Sequence, residues 1–596
     1  MNDDTFDPES NLLQLINQLI AEKHYDGIEI LFNDKRNINI LIENTADFVE
    51  LCRKHLTDEN FRKQPALYFA CENLLKIIAK SSPLTEALFE LLDIIDTSKS
   101  DDIFTSALKA LQICLLRKES DRKSLEWGLN EVIAYVSQLE YPEFLNTCYD
   151  EKQMALFEQN EQIHKILINY ITITLFYEPI LQKEIQSSVT KNFKSTDWNT
   201  STVISSFLLQ LLGRPLALLD LTVKEKHKTN THSLQCAQQL TQDLCKIYKN
   251  PYYLLNFVEA RCRWRKDTLK KDTYERFSKL VYMNIERFPL LSFAVYYYLL
   301  IGEEFMPSNA PRIYNPIYIF ESCLYLVEIL LKQNEALLHY KGLILCHKTL
   351  NNLDGVKINS SSLDLKIYAD FSEQLTKIVI FSEHEILRKI GVNLFKQLIM
   401  QFDIEGQSVI LKKLLETTEH SGLLGYFITI FKNLVAEQLD QKANLICFCT
   451  GTEFKNILLK LCCKLKKGSE TDLIEHSDHI ISTLNALRYF AQRDTNNLTG
   501  FWNFVSDIET EFLNPLRDGL NFSRAHYKAE EYRVQNDIQM EGENELFEKF
   551  MINDENLPNF NKAQKLDILT RSIVTFDLLE SLIARVNECL DNKRKL

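Results

Sequence analysis

The chain has 596 residues, 45% hydrophobic and 25% charged, with a formal net charge of −14 at pH 7. That balance argues against nucleic acid and anionic membranes as partners, since both select basic surfaces. Only 15 Gly and 13 Pro occur, where average usage gives about 42 and about 30, so folds that consume Gly in tight turns and phosphate loops are disfavoured and an all-α chain is expected.

The N-terminus, "MNDDTFDPES", is acidic and lacks an apolar segment, so no signal or transit peptide is expected. Residues 11–23, 65–80 and 83–95 then place Leu, Ile or Phe at three- and four-residue spacing, with Pro65 and Pro83 near helix starts. Residues 27–44 alternate like a hairpin around Asn33–Asp34. The Gly-poor turn and the helical surroundings favour a helix pair there. Further stripes follow through 103–117, 125–139, 161–178, 202–220 and 233–249. The run "RCRWRKDTLKK", 261–271, reads as a solvated helix face with a local anion site as the alternative. "FPLLSFAVYYYLLI", 288–301, is too short to span a bilayer and reads as a buried helix.

Stripes continue from 316 to 415, then through 477–530. In that last stretch Ile480, Ile481, Leu484, Leu487 and Phe490 form one apolar row, and Trp502, Val505, Ile508, Phe512, Leu516 and Leu520 the next. Pro515 and Gly519 are expected to bend or break the second helix. Residues 531–556 are acidic and poor in apolar side chains, which suits a flexible excursion. A final helix aligns Phe576, Leu579, Leu582, Ile583, Val586 and Leu590 on one face.

Such a succession must bury its stripes helix on helix. The expected architecture is a HEAT- or armadillo-like α-solenoid of degenerate helical hairpins. Its expected parts are a helical-repeat region over 1–370, a second over 371–530 carrying a partner-binding face, an acidic segment over 531–560, and a C-terminal helix over 561–596 that packs back.

No Walker loop, dinucleotide fingerprint, nucleophile elbow or His-Glu-x-x-His motif occurs, so neither catalysis nor a cofactor is expected. Cys447 with Cys449, and adjacent Cys462 and Cys463, have spacings that scatter their thiols around a helix, so core thiols are favoured over zinc ligands. His476, Asp478 and His479 form a second metal-like cluster, for which capping by Ser477 or Asp478 is the favoured reading. Fourteen scattered Cys suit a reduced, cytoplasmic protein, where the sequons at Asn497 and Asn521 would carry no glycan. Opposite the apolar rows of 477–530 stand Arg, His and Tyr, residue types enriched at protein interfaces.

The segments "LLETTEHSG" (414–422), "SDHIISTLNALRYF" (477–490), "LTGFW" (498–502), "IETEFLNPLRDGLNFSRAHYKAE" (508–530) and "TFDLLESLIARV" (575–586) together resemble the glomulin family of helical-repeat inhibitors of cullin–RING ubiquitin ligases. Weaker similarity runs through 314–320 and 384–395. The resemblance implies a non-catalytic HEAT-like stack. Its C-terminal half would pack on the RING domain of the RING-box subunit and mask the docking surface of the ubiquitin-conjugating enzyme. An FK-type immunophilin is a further implied partner. Carried over residue by residue, the candidate contacts are Arg388, Lys389, His420, Ser421, Arg488, Asn514, Asn521, Ser523, His526 and Tyr527.

Overall fold

The computed structural model describes residues 8–98, 100–143, 157–188, 199–222, 231–256, 258, 289–441, 447–536 and 561–594. The basic run 261–271 and residues 537–560 of the acidic stretch lie outside them. The fold is an all-α solenoid of degenerate helical hairpins; among the described residues there is no strand, only an isolated bridge between Ile358 and Phe402. The chain divides into two compact units: Met1–Asp354 with Asp370–Gly391, and Gly355–Ala369 with Val392–Leu596.

In the first unit the helices Pro65–Ser81, Leu84–Thr97, Asp101–Leu116 and Arg122–Ser137 pack on one another through the stripes their sequences display. Leu67, Cys71, Leu74, Leu75 and Ile78 face inward from the first, and Leu88, Leu91, Leu92 and Ile95 from the second. Residues 27–44 form a helix pair, Tyr25–Leu31 and Lys35–Glu43, with the Asp34 carboxylate accepting from Arg36 N–H at the second start. Asp34 supplies a cap that a hairpin turn would not use. The stretch Leu290–Tyr297 continues into a π-helical turn, Tyr298–Gly302, and is buried. Among the described residues one helical stretch, Thr200–Leu218, is long and apolar enough to cross a membrane by length and composition, but 78% of its apolar window is buried.

In the second unit, helices Ser421–Gln441 and Ser477–Arg493 approach closely at Gly425, where an added Cβ would stand 2.8 Å from the Asp478 carbonyl oxygen. Phe431, Phe454, Phe490, Phe501 and Phe504 build one aromatic cluster with ring centroids 5.3–6.2 Å apart. The last helix, Lys562–Arg594, lies against both Ser477–Arg493 and Asn514–Gln535 and buries Phe576, Leu579, Leu582, Ile583, Val586 and Leu590.

Two expectations are corrected here. The helix after Trp502 does not break at Pro515 or Gly519. A π-helical turn, Glu509–Leu513, precedes Pro515, which sits in the first turn of Asn514–Gln535, where its missing N–H removes little. Gly519 instead admits a close approach, since a Cβ there would meet the Ser469 carbonyl oxygen at 2.6 Å. The helix also runs on to Gln535, five residues into the stretch expected to be irregular.

Candidate partner-binding site

The stretch 477–530 folds as two helices joined by a tight, internally satisfied turn. Buried Asp494 accepts from Leu498 N–H at 2.7 Å and from Thr499 N–H at 3.0 Å, while Trp502 Nε1 donates to the Asp494 carbonyl at 2.9 Å. Asn497 has left-handed backbone (φ 54°), and its Oδ1 accepts from Trp502 N–H at 3.0 Å. The sequon residue thus serves as a turn element, a conformation that Asn tolerates better than most side chains.

The first helix begins at Ser477, and neither Ser477 nor Asp478 supplies a side-chain cap. His479 points into the core, where its Nε2 lies 2.7 Å from the Cys462 carbonyl oxygen. Because that oxygen only accepts, Nε2 carries the hydrogen. Burial, reinforced by His476 and Lys466 against the opposing Cys462 bond, holds its pKa down to about 4. His479 is therefore a neutral packing residue. Cys449, Cys462 and Cys463 are buried thiols whose pKa values burial raises. Among the described residues no three His, Cys, Asp or Glu side chains converge as a metal site would require.

Arg388 and Lys389 belong to the first unit and the other eight candidates to the second. Arg388 is half-buried and donates from Nη1 to the Ser382 and Glu383 carbonyls, at 2.6 and 3.1 Å, closing the end of helix Lys366–Phe381. Lys389 is exposed and pairs with Glu385 at 2.6 Å. His420 is exposed, and its Nδ1 accepts from Leu423 N–H at 3.3 Å at the start of helix Ser421–Gln441. Ser421 Oγ accepts from His479 N–H at 3.1 Å and so ties the starts of two helices together. Both residues have structural work that the sequence did not disclose. Arg488 is half-buried, with no hydrogen bond or ion pair among the described residues.

The remaining five share helix Asn514–Gln535 but not one face. At about 100° per residue, Asn514, Asn521 and His526 fall on the exposed arc, whereas Ser523 and Tyr527 turn toward the unit's interior. Tyr527 is 8% exposed and packs edge-on to Phe576 of the last helix, centroids 5.1 Å apart. Burial, with the negative charge of Asp472, pushes its hydroxyl up to about 12. Arg524 locks the same seam through Asp577 at 2.7 Å and Glu580 at 2.6 Å.

The outer arc holds two residues that sequence analysis passed over: Phe522, 71% exposed, and Tyr532, 64% exposed. The available signal was that both depart from the Leu516, Leu520, Tyr527 stripe. Together with Asn514, Asn521 and His526 they make a ridge of aromatic and amide groups, chemistry suited to gripping a protein surface.

The profile of the family described as YAP/Alf4/glomulin matches residues 47–571. The chain is 25% identical to glomulin of Homo sapiens over 592 residues, covering 98% of this chain and 94% of the human protein. It is 26% identical to glomulin of Mus musculus over 595 residues, with the same two coverages.

Proposed function

This chain belongs to the YAP/Alf4/glomulin family, and on that footing we propose that it is a non-catalytic, cytoplasmic regulator of cullin–RING ubiquitin ligases. Its second unit binds the RING domain of the RING-box subunit and blocks docking of the ubiquitin-conjugating enzyme. The observation that carries this reading is the end-to-end relation to glomulins, 98% of this chain against 94% of theirs.

The physics is steric exclusion: two proteins cannot occupy one RING face, so inhibition follows the inhibitor's concentration relative to its dissociation constant. A helix held rigidly by Arg524 and Tyr527 presents Asn514, Asn521, Phe522, His526 and Tyr532 with little ordering left to lose on contact.

The test is discharge of ubiquitin from its charged conjugating enzyme by a reconstituted cullin–RING-box complex, with the full-length protein added. Inhibition that fades as conjugating enzyme is raised supports occlusion. Full discharge in the presence of excess folded protein overturns it. Recovery of an FK-type immunophilin in place of the RING-box subunit would move the function to another partner. The paired change Phe522→Ser with His526→Asp, both exposed, should relieve inhibition about tenfold or more without loss of stability.

A further inference from the structure

The first unit carries a concave surface that the reading above leaves unused. Where helix Lys35–Glu43 hands over to Thr45–His55, opposite the start of Leu84–Thr97, lies a cavity of about 450 Å³. Its rim holds Phe89, 60% exposed, and Phe89 in turn meets Trp127, 41% exposed, at 6.5 Å between ring centroids. Glu43, Asp47, Glu86 and Glu90 also line it, and none of the four has an ion pair among the described residues. The polar floor is already satisfied: Thr45 donates to Ser82 Oγ at 2.9 Å, and Asn44 Nδ2 to the Ile40 carbonyl at 3.1 Å. The neighbouring base, Arg53, is engaged by Asp93.

We infer that this groove docks a partner segment in which Arg or Lys alternates with apolar side chains. Three features select that occupant. The aromatic pair offers apolar area and ring faces to a guanidinium or ammonium group. The four carboxylates supply negative potential without a basic residue among the lining. They do not converge on one point: among the described residues no group of three acids, His or Cys could hold a metal ion, so the charge suits cations spread along a chain. The cavity volume lies in the range of side-chain and small-ligand pockets.

The probe is a short fluorescein-labelled peptide alternating Arg with Leu and Phe, titrated against the full-length protein by anisotropy. An identical peptide with Glu in place of Arg is the control. The Arg peptide should bind, more weakly as salt rises, and the change Phe89→Ser with Glu86→Gln should weaken it about tenfold. Neutralising two exposed acids of the second unit, Glu416→Gln with Glu437→Gln, should leave it within about twofold. Absence of binding, or equal weakening by the groove pair and the distant pair, overturns the inference. No ligase enters the measurement, so failure of the RING reading would not change its outcome.

Discussion

His526 and Tyr527 are neighbours in sequence with opposite fates. His526 is exposed, while Tyr527 fills the seam against Phe576. Truncating Tyr527→Ala removes a buried ring and leaves a cavity, a change that costs about 3–5 kcal/mol in other cores. Tyr527→Phe keeps the ring, and no hydrogen bond of the hydroxyl is found among the described residues, so it should fall within about 0.5 kcal/mol of the parent. Urea unfolding of the parent, the two Tyr527 variants and His526→Asp checks this. If Tyr527→Ala and His526→Asp cost the same, the seam is not packed as described. Any loss of partner binding in Tyr527→Ala would then report unfolding of the ridge's support, whereas loss in His526→Asp would report the surface itself.

At the scale of elements, apolar spacing made the helices legible because a stripe at 3.6-residue period has only one way to be buried. The last helix shows this: all six residues of its expected face are in the core. What spacing could not reveal was how helices begin, bend and touch. Pro515 looked like a breaker because the π-turn that absorbs it has no composition signature of its own. Gly519 looked like a weak point because its purpose, clearance for the backbone at Ser469, belongs to a segment fifty residues earlier. The candidate contacts were legible only in part for the same reason: His420 and Ser421 are committed to helix starts, and Phe522 and Tyr532 stand out only once the buried side of their helix is known. Gly519→Ala therefore tests the structural reading directly. On propensity alone the change would stabilise the helix by about 1 kcal/mol. With backbone 2.6 Å from the new Cβ, it should instead destabilise by about 1–3 kcal/mol. A raised unfolding midpoint would sink the close-approach account.

For the whole molecule, two buried bases make the units respond to pH with the same sign but in different windows. In the first unit Lys341 is buried and its Nζ donates to the carbonyls of Ala217 and, at 2.8 Å, of Leu219. Burial lowers its pKa from 10.5 to about 7, against the opposing pull of Asp220 and Glu303. Between those values the unfolded chain binds a proton that the folded chain releases, so the first unit gains stability as pH rises from 7 toward 10.5 and is insensitive to this group below 7. In the second unit His479 is lowered from 6.5 to about 4. There the unfolded chain binds the proton first, so stability falls as pH drops from 6.5 to 4 and is flat above. Each slope is bounded by one proton, about 1.4 kcal/mol per pH unit. Hydrogen exchange in graded denaturant, followed on peptides from helix Ala336–Asn351 and from helix Ser477–Arg493, reads the two units separately. Between pH 7 and 9 only the first helix should gain protection free energy from this source, and between pH 6.5 and 5 only the second should lose it. His479→Gln, which retains a donor for the Cys462 carbonyl, should flatten the acid limb in the second unit and leave the first unchanged. An acid limb that survives that substitution would assign the sensitivity to other groups, and a parallel response of both helices would mean that the two units unfold as one.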